Sequence, residues 1–413
     1  MKTEICEAVE KDLGRNEFQT WLMEVGLNIA TAKHTIKNLK SWMKDEKLNS
    51  ELLFAPCSTV VRYEPLGVAA IFGSWNFPIS TTLKPLIDAI AAGNCCLLKP
   101  SEISEHTMVA TKKLVDAYMD NDAIKCCIGP IDVAIAVNKL PLDLICFTGS
   151  TRVGKIIAAT AAQNLTPCIL ELGGKCPMVV DVSADMGHAV AKATVGKFTN
   201  SGQICIAPDY ILVHEKRLKE FVEGVKVKIK EVFGEKPDGS DDMGKMINSF
   251  HTERMERIIK TSGGKILCGG NVKKEIKYCE PTLILEPDKE SELMKDEIFG
   301  PVLPIYPYRD VGQALKMINS HGKPLTVYYF GERGTITQRR LVEETSSGHF
   351  VANEVALHFF SQYLGFGGVG ASGSGRHGGF EGFKNFSNRK GMTLKKPAPA
   401  AVNKYLAPPY SES

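Results

Sequence analysis

LGVAAIFGSWNFPISTTLKPLIDAIAAGNCCLLKPSEISEHTMVATKKLVDAYM, residues 66–119, decides the architecture. LGVAAIFG (66–73) is an unbroken apolar run of strand length, and STTLKPLIDAIAAG (80–93) has helical spacing and closes on glycine. NCCLLKP (94–100) repeats the strand and SEHTMVATKKLVDAYM (104–119) the helix. Strands alternating with helices of this length predict a parallel sheet with right-handed crossovers. The beat continues through AIKCCI (123–128), DVAIAVNK (132–139) and LDLICFTGS (142–150). A second series follows: DYILVH (209–214), a helix over 215–233, another around 251–261, TLILEP (282–287), VLPIYPY (302–308), a helix over 311–320 and LTVYYFG (325–331). The expected fold class is α/β, with two open parallel-sheet domains. Ahead of them, the first 50 residues read as helix, with Val25, Ile29, Ile36, Leu39 and Met43 as its apolar stripe. Residues 51–65 read as irregular or strand-like, and GEKPDGSDDMG (234–244) as an exposed loop.

Composition excludes several classes. A chain of 413 residues exceeds one small core. Its 44% hydrophobic and 23% charged residues are those of an ordinary globular protein. Fifty Lys plus Arg against 47 Asp plus Glu leave a net charge of +3, no electrostatic case for a nucleic-acid partner. No apolar run reaches the roughly 18–20 residues of a membrane span. The twelve cysteines contain no CxxC, and Cys95–Cys96 and Cys126–Cys127 sit in apolar strands as small hydrophobes. With a polar N-terminus and no anchor in the KYLAPPYSES tail, the expected compartment is the cytoplasm.

Two motifs fail their context. GSTRVGK (149–155) nearly spells a P-loop, but Ile156 stands where a magnesium-binding hydroxyl is needed. The turn can still offer helix N-terminal amides to a phosphate. Gly365, Gly367 and Gly370 match GxGxxG without the flanking strand and helix, so close passage of backbone is the better reading. His349, His358 and His377 lack metal-ligand spacing. The basic helix 216–236, with Leu218, Phe221, Val225 and Ile229 on one face, reads as a domain helix rather than a membrane-surface one.

Four segments are hard to explain as scaffold: SWNFP (74–78), LELGGK (170–175), SGQICIAPDY (201–210) and EIFGP (297–301). Each sets a reactive or polar group against glycine or proline at the end of an element, where catalytic groups collect. With FTGSTRVGKII, ETSSG and LGFGGVGASGSG, they follow the order and spacing of the aldehyde dehydrogenase superfamily. The chain most resembles its class 3 branch, which includes fatty aldehyde dehydrogenase.

The resemblance implies oxidation of medium- or long-chain aliphatic or aromatic aldehydes to carboxylic acids with NAD or NADP, through a cysteine thiohemiacetal and thioester. It assigns Cys205 as nucleophile, Asn76 as oxyanion donor and Glu171 as general base for the deacylating water. It assigns Lys99 and Glu102 to the adenosine ribose, Gly149 to the pyrophosphate, Glu297 to the nicotinamide ribose and Phe299 to the nicotinamide. No metal is implied. It divides the chain into a cofactor domain (1–175, with a bridging segment 48–66), a catalytic domain (176–360) and a bridging and dimerisation arm (361–413) of a homodimer. Relatives carry another helix ahead of the segment that begins here. Ile204 replaces a common threonine, and Arg152 a common small residue whose replacement adds charge that would favour NADP. A competing reading, a short member kept for binding or structure, is disfavoured by the complete reactive set.

Overall fold

The apolar run at 66–73 forms the strand Val68–Phe72, whose successive side chains serve two cores. Ala69 and Ile71 pack with Leu86 and Val115, whereas Ala70 and Phe72 pack with Val137 and Ile157. This two-residue alternation, apolar both ways, is what a strand covered by helices on both faces requires. The strand is central in a six-stranded sheet in the order Gly373–Ser374, Cys168–Leu172, Leu144–Gly149, Val68–Phe72, Cys95–Lys99, Ile124–Cys126. All neighbours are parallel except the short edge strand Gly373–Ser374. The helices Ser80–Ala91, Glu105–Tyr118, Ile131–Asn138 and Thr151–Ala161 make the crossovers. This is a computed structural model, which describes residues 1–51, 57–397 and 408.

The second series forms a seven-stranded sheet in the order Lys265–Cys268, Thr282–Leu285, Val302–Tyr308, Tyr210–His214, Pro177–Val180, Thr326–Phe330, His349–Ala352. Only Lys265–Cys268 runs antiparallel. The helix Leu218–Phe233 buries Phe221, Val225 and Ile229 in this sheet's core, so its lysines are the solvated side of a domain helix. A third, antiparallel sheet pairs Cys57–Pro65 with Glu46–Leu48 and, over nine residues, with Ser387–Lys395. The 398–407 and 409–413 stretches, with most of the LAPPY tail, lie outside the described residues.

Two expectations need correction. The N-terminal region is helical, as Lys2–Leu13 and as Glu17–Thr20 running through a wide turn at Trp21–Val25 into Gly26–Trp42. Its apolar stripe, however, faces the core only in part: Val25 and Leu39 pack against buried clusters, whereas Ile29, Ile36 and Met43 are exposed, Ile36 by 75%. The buried side is Leu27, Asn28, Thr31 and Thr35, so three polar side chains stand on the face turned inward. Asn28 donates to Ser80 Oγ at 3.3 Å, and the buried Arg15–Glu24 ion pair lies beneath. Glu24 Oε2 accepts the N–H groups of Ile79 (2.7 Å) and Ser80 (3.0 Å), so it caps the helix that follows SWNFP from a distant part of the chain. The second correction concerns 234–244: the loop ends in buried Met243, whose carbonyl accepts the Ser201 N–H at 3.1 Å.

Glu24→Ala leaves Arg15 buried without its partner and uncaps Ile79 and Ser80. Chemical denaturation should show a loss of about 3–5 kcal/mol, against about 1 kcal/mol for Asn28→Ala. Equal, small losses would show that the ion pair does not hold the helix in place.

Candidate functional site

The chain passes from the first sheet to the second in four residues. Leu172 ends one strand and Pro177 begins the next, with Gly173–Cys176 between them. The C-terminal edge of the first sheet therefore faces the N-terminal edge of the second. On the first sheet, crossovers leave Val68–Phe72 toward Cys95–Lys99 and return to the other side at Leu144–Gly149. That reversal opens a crevice between the ends of the two strands, where open α/β sheets bind ligands. A cavity of about 2040 Å³ lies there, lined by Asn76, Lys99, Glu102, Gly149, Glu171, Cys205, Glu297 and Phe299. All eight residues that the resemblance assigns thus border one space.

Cys205 is presented by an unusual turn. After the helix Met186–Phe198, Asn200 (φ 54°), Ser201 (φ 51°) and Gly202 (φ 70°) are all left-handed. Two non-glycine residues in that region store of order 1–3 kcal/mol each, which surrounding bonds must offset. Asn200 Nδ2 donates to the carbonyls of Asn76 (3.2 Å) and Gln203 (3.1 Å). Fully buried Gln203 donates to the carbonyls of Asn200 (3.0 Å) and Lys245 (2.9 Å) and accepts from Ile247 N–H (2.9 Å). A Cβ on Gly202 would collide with the Gly300 carbonyl, so the turn presses directly on the EIFGP loop.

Asn76 joins this turn from the other sheet. Its amide accepts from Ser74 Oγ at 2.6 Å and donates to the Gln203 carbonyl at 3.0 Å, leaving a second N–H. Burial pushes the Cys205 thiol up to about 12, helped by the charges of Glu297 and Glu171, while backbone N–H groups of Cys205 and Ile206 oppose the shift. The thiol is therefore protonated at neutral pH. Glu171 is 3% exposed and neither carboxylate oxygen has a partner. Burial raises it well above the usual carboxylate range, against the pull of Lys84 and Arg376.

Glu297 sits against Gly173, where a Cβ would collide with its carboxylate. Burial, with Asp209 adding, lifts its acid to about 8. Its loop is held on both sides. Lys175 Nζ donates to Asp209 Oδ2 (2.5 Å) and to the Leu293 and Asp296 carbonyls (both 3.0 Å). Asp209 Oδ1 accepts the Ile298 N–H at 2.9 Å, and Arg254 donates to the Glu297 (2.8 Å) and Ile298 (2.6 Å) carbonyls. Phe299 meets Trp75 edge to face, with ring centroids 5.1 Å apart.

At the far end, buried Lys99 pairs with Glu102 at 2.8 Å. Beyond Gly149, Ser150 caps the helix Thr151–Ala161, whose first turn holds Arg152 and no acidic residue. Orphan amides with a cation and no competing carboxylate suit a phosphate-bearing ligand. Phe359, Phe360 and Phe366 line the same cavity, with Ile204 beside Cys205. Among the described residues no group of three or more His, Cys, Asp or Glu could hold a metal ion, and no helix is long and apolar enough to cross a membrane.

Sequence reading missed Asn200, Gln203, Lys175, Asp209 and Arg254 as parts of the site. Four of them lie in or beside the motifs, but buried amides and ion pairs leave no periodic signal. Arg254 lies on the helix Ser249–Lys260, with no cue at all.

The model of the aldehyde dehydrogenase family matches residues 1–392. The chain is 38% identical over 405 residues to the dimeric NADP-preferring aldehyde dehydrogenase of Mus musculus, covering 98% of this chain and 89% of that protein. It is also 38% identical over 410 residues to the Mus musculus aldehyde dehydrogenase family 3 member A2, covering 99% and 84%. A substrate-bound state of Staphylococcus aureus AldH superposes with a TM-score of 0.93 at 34% identity, covering 98% of this chain and 90% of that one.

Gly202→Ala must separate two loops from different strands. The expected result is a folded protein whose Cys205 alkylates with iodoacetamide at an altered rate and whose thermal midpoint falls. Unchanged labelling and midpoint would show that the close approach to Gly300 does not position the cysteine.

Proposed function

This chain belongs to the aldehyde dehydrogenase family and oxidises aldehydes to carboxylic acids with NAD(P), and from that premise we propose how its residues divide the work. Cys205 first gives its thiol proton to water in the cavity, and as thiolate it adds to the aldehyde carbon. The spare N–H of Asn76 and the Cys205 backbone N–H donate to the oxyanion that forms. A nicotinamide held by Glu297 with Phe299 beside the ring would supply the hydride acceptor that the Cys205 thiohemiacetal needs to become a thioester. Glu171 then takes a proton from the water that attacks the thioester carbonyl, and Cys205 leaves as the thiolate.

Lys99 and Glu102 would hold the adenosine ribose, and Gly149 with the following helix amides the pyrophosphate. Glu297 would hold the nicotinamide ribose, with Phe299 beside the ring. The observation that carries this reading is that the eight residues come from six separate stretches of chain and meet in one cavity. The aromatic lining beside Cys205 supports medium- or long-chain aliphatic or aromatic aldehydes.

The same reading gives the cofactor to residues 1–175 with the 48–66 segment, the chemistry to 176–360, and assembly to 361–413. Homodimerisation is supported by a relative named as dimeric and by Ser387–Lys395, an exposed edge strand of the third sheet. Twelve free cysteines support a reducing, cytoplasmic setting.

With a medium-chain aldehyde and NAD or NADP, Cys205→Ala should abolish absorbance gain at 340 nm, and Asn76→Ala should lower kcat by roughly 10²–10³-fold. Glu171→Gln should give one rapid turnover per site and then stall. Full steady turnover in that variant would remove Glu171 from the hydrolytic step. Arg152→Gly should raise KM for NADP more than for NAD; an unchanged ratio means Arg152 does not read the 2′-phosphate.

A further inference from the structure

Behind Glu171 lies a buried group of charges that the reaction scheme has not used. Lys84 and Asp88 stand one turn apart on the helix Ser80–Ala91, and both side chains are fully buried. Lys84 Nζ donates to the Phe359 carbonyl at 3.0 Å and sits over the Phe359 ring at 4.2 Å. No other acceptor meets it among the described residues, so two of its three N–H groups remain available. Asp88 Oδ2 accepts the Gly378 N–H at 2.6 Å, and Oδ1 has no partner. Glu171 is equally buried and has neither oxygen paired. Unpaired acids and a half-satisfied amine in one interior are costly unless they serve one another.

The charges facing Glu171 come from four directions. The helix Ser80–Ala91 brings Lys84, with Asp88 beside it; the C-terminal arm brings Arg376, with His377 facing Lys84; the nucleophile loop brings Cys205; and the neighbouring strand brings Cys146. His349, on the second sheet, and His358, on the turn Leu357–Phe360, face Lys84. Burial and the nearby cations hold these histidines neutral: His349 falls to about 4, His358 to about 3 and His377 well below its ordinary value. Two cations are left. Arg376 is committed to the carbonyls of Gly365 (3.1 Å), Gly367 (3.4 Å) and Gly348 (3.1 Å). Lys84 alone combines a flexible stem with free donors.

We propose that Lys84 is a positioning residue for the hydrolytic half-reaction: its buried ammonium, acting on the unpartnered Glu171 through an intervening water, keeps that carboxylate ionised and oriented. The proposal rests on Glu171 being the water-activating base and adds the group that keeps it competent. A carboxyl removed from water favours its neutral form, which cannot take a proton from water, and a nearby cation reverses that preference. The amine itself is lowered to about 8 by burial, so it carries its charge through neutral pH and loses it above pH 8. Below that point the wild type should have the ionised base at a pH where a chain without the cation does not. Above it the two should converge.

The test is the pH profile of kcat from pH 5.5 to 9.5 for wild type, Lys84→Met and Lys84→Arg, with single-turnover kinetics at each pH. Lys84→Met should move the acidic limb up by about one pH unit, a roughly ten-fold loss at pH 7 that closes toward pH 9. The first-turnover yield and KM for aldehyde should stay within two-fold, and Lys84→Arg should recover most of the limb. An unmoved limb overturns the proposal. So does a uniform loss at every pH accompanied by a lower thermal midpoint, since that is a packing defect. Glu171→Gln separates the two layers: if it stalls after one turnover while Lys84→Met keeps the wild-type limb, Glu171 stands and Lys84 falls. If Glu171→Gln turns over normally, both fall.

Discussion

Four residues, Gly173 to Cys176, must carry the chain between two sheets and also make room for a carboxylate from a third stretch. That crossing is the constraint from which the site follows. A longer link would let the sheet edges slide, and a side chain at 173 would evict Glu297. Lys175, inside the crossing, reaches Asp209, Leu293 and Asp296, so the same four residues lock the nucleophile strand and the Glu297 loop together. Cys205, Glu171 and Glu297 are thereby all tied to one short crossing.

Burial dominates the electrostatics of this crevice. It raises the acids of Glu171 and Glu297 and the Cys205 thiol; like charge adds to this at the thiol, from Glu297 and Glu171, and at Glu297, from Asp209. Left alone, such a site would be neutral and inert near pH 7. What opposes neutrality is a small set of fixed cations and amides: Lys175 and Lys197 near Glu297, Lys84 and Arg376 near Glu171, and backbone N–H groups at Cys205 and Ile206. Reactivity is therefore a property of the surroundings, not of the cysteine alone.

Much of this was legible in the residues. Buried strands such as Val68–Phe72 and Val302–Tyr308 announce themselves as short apolar runs, and the reactive loops by glycine or proline beside a nucleophile, amide or carboxylate. Each of the eight site residues named from sequence lines the cavity. The failures share a cause. The helix Gly26–Trp42 docks by Asn28 beside the Arg15–Glu24 pair and by Leu39 and Trp42, rather than by Ile29 and Ile36, and periodicity counts only apolar positions. Gln203 and Arg254 escape notice for the same reason, since a satisfied buried polar group depends on partners far along the chain.

The claim beneath all of this is that the Cys205 sulfur carries the acyl group between oxidation and hydrolysis. Intact-mass and peptide mass spectrometry of Glu171→Gln, quenched after one turnover with a medium-chain aldehyde and NAD(P), addresses it directly. The account predicts one acyl group per chain, located on the peptide containing Cys205 and released by hydroxylamine. Cofactor reduction with no adduct, or an adduct on another residue, would contradict it.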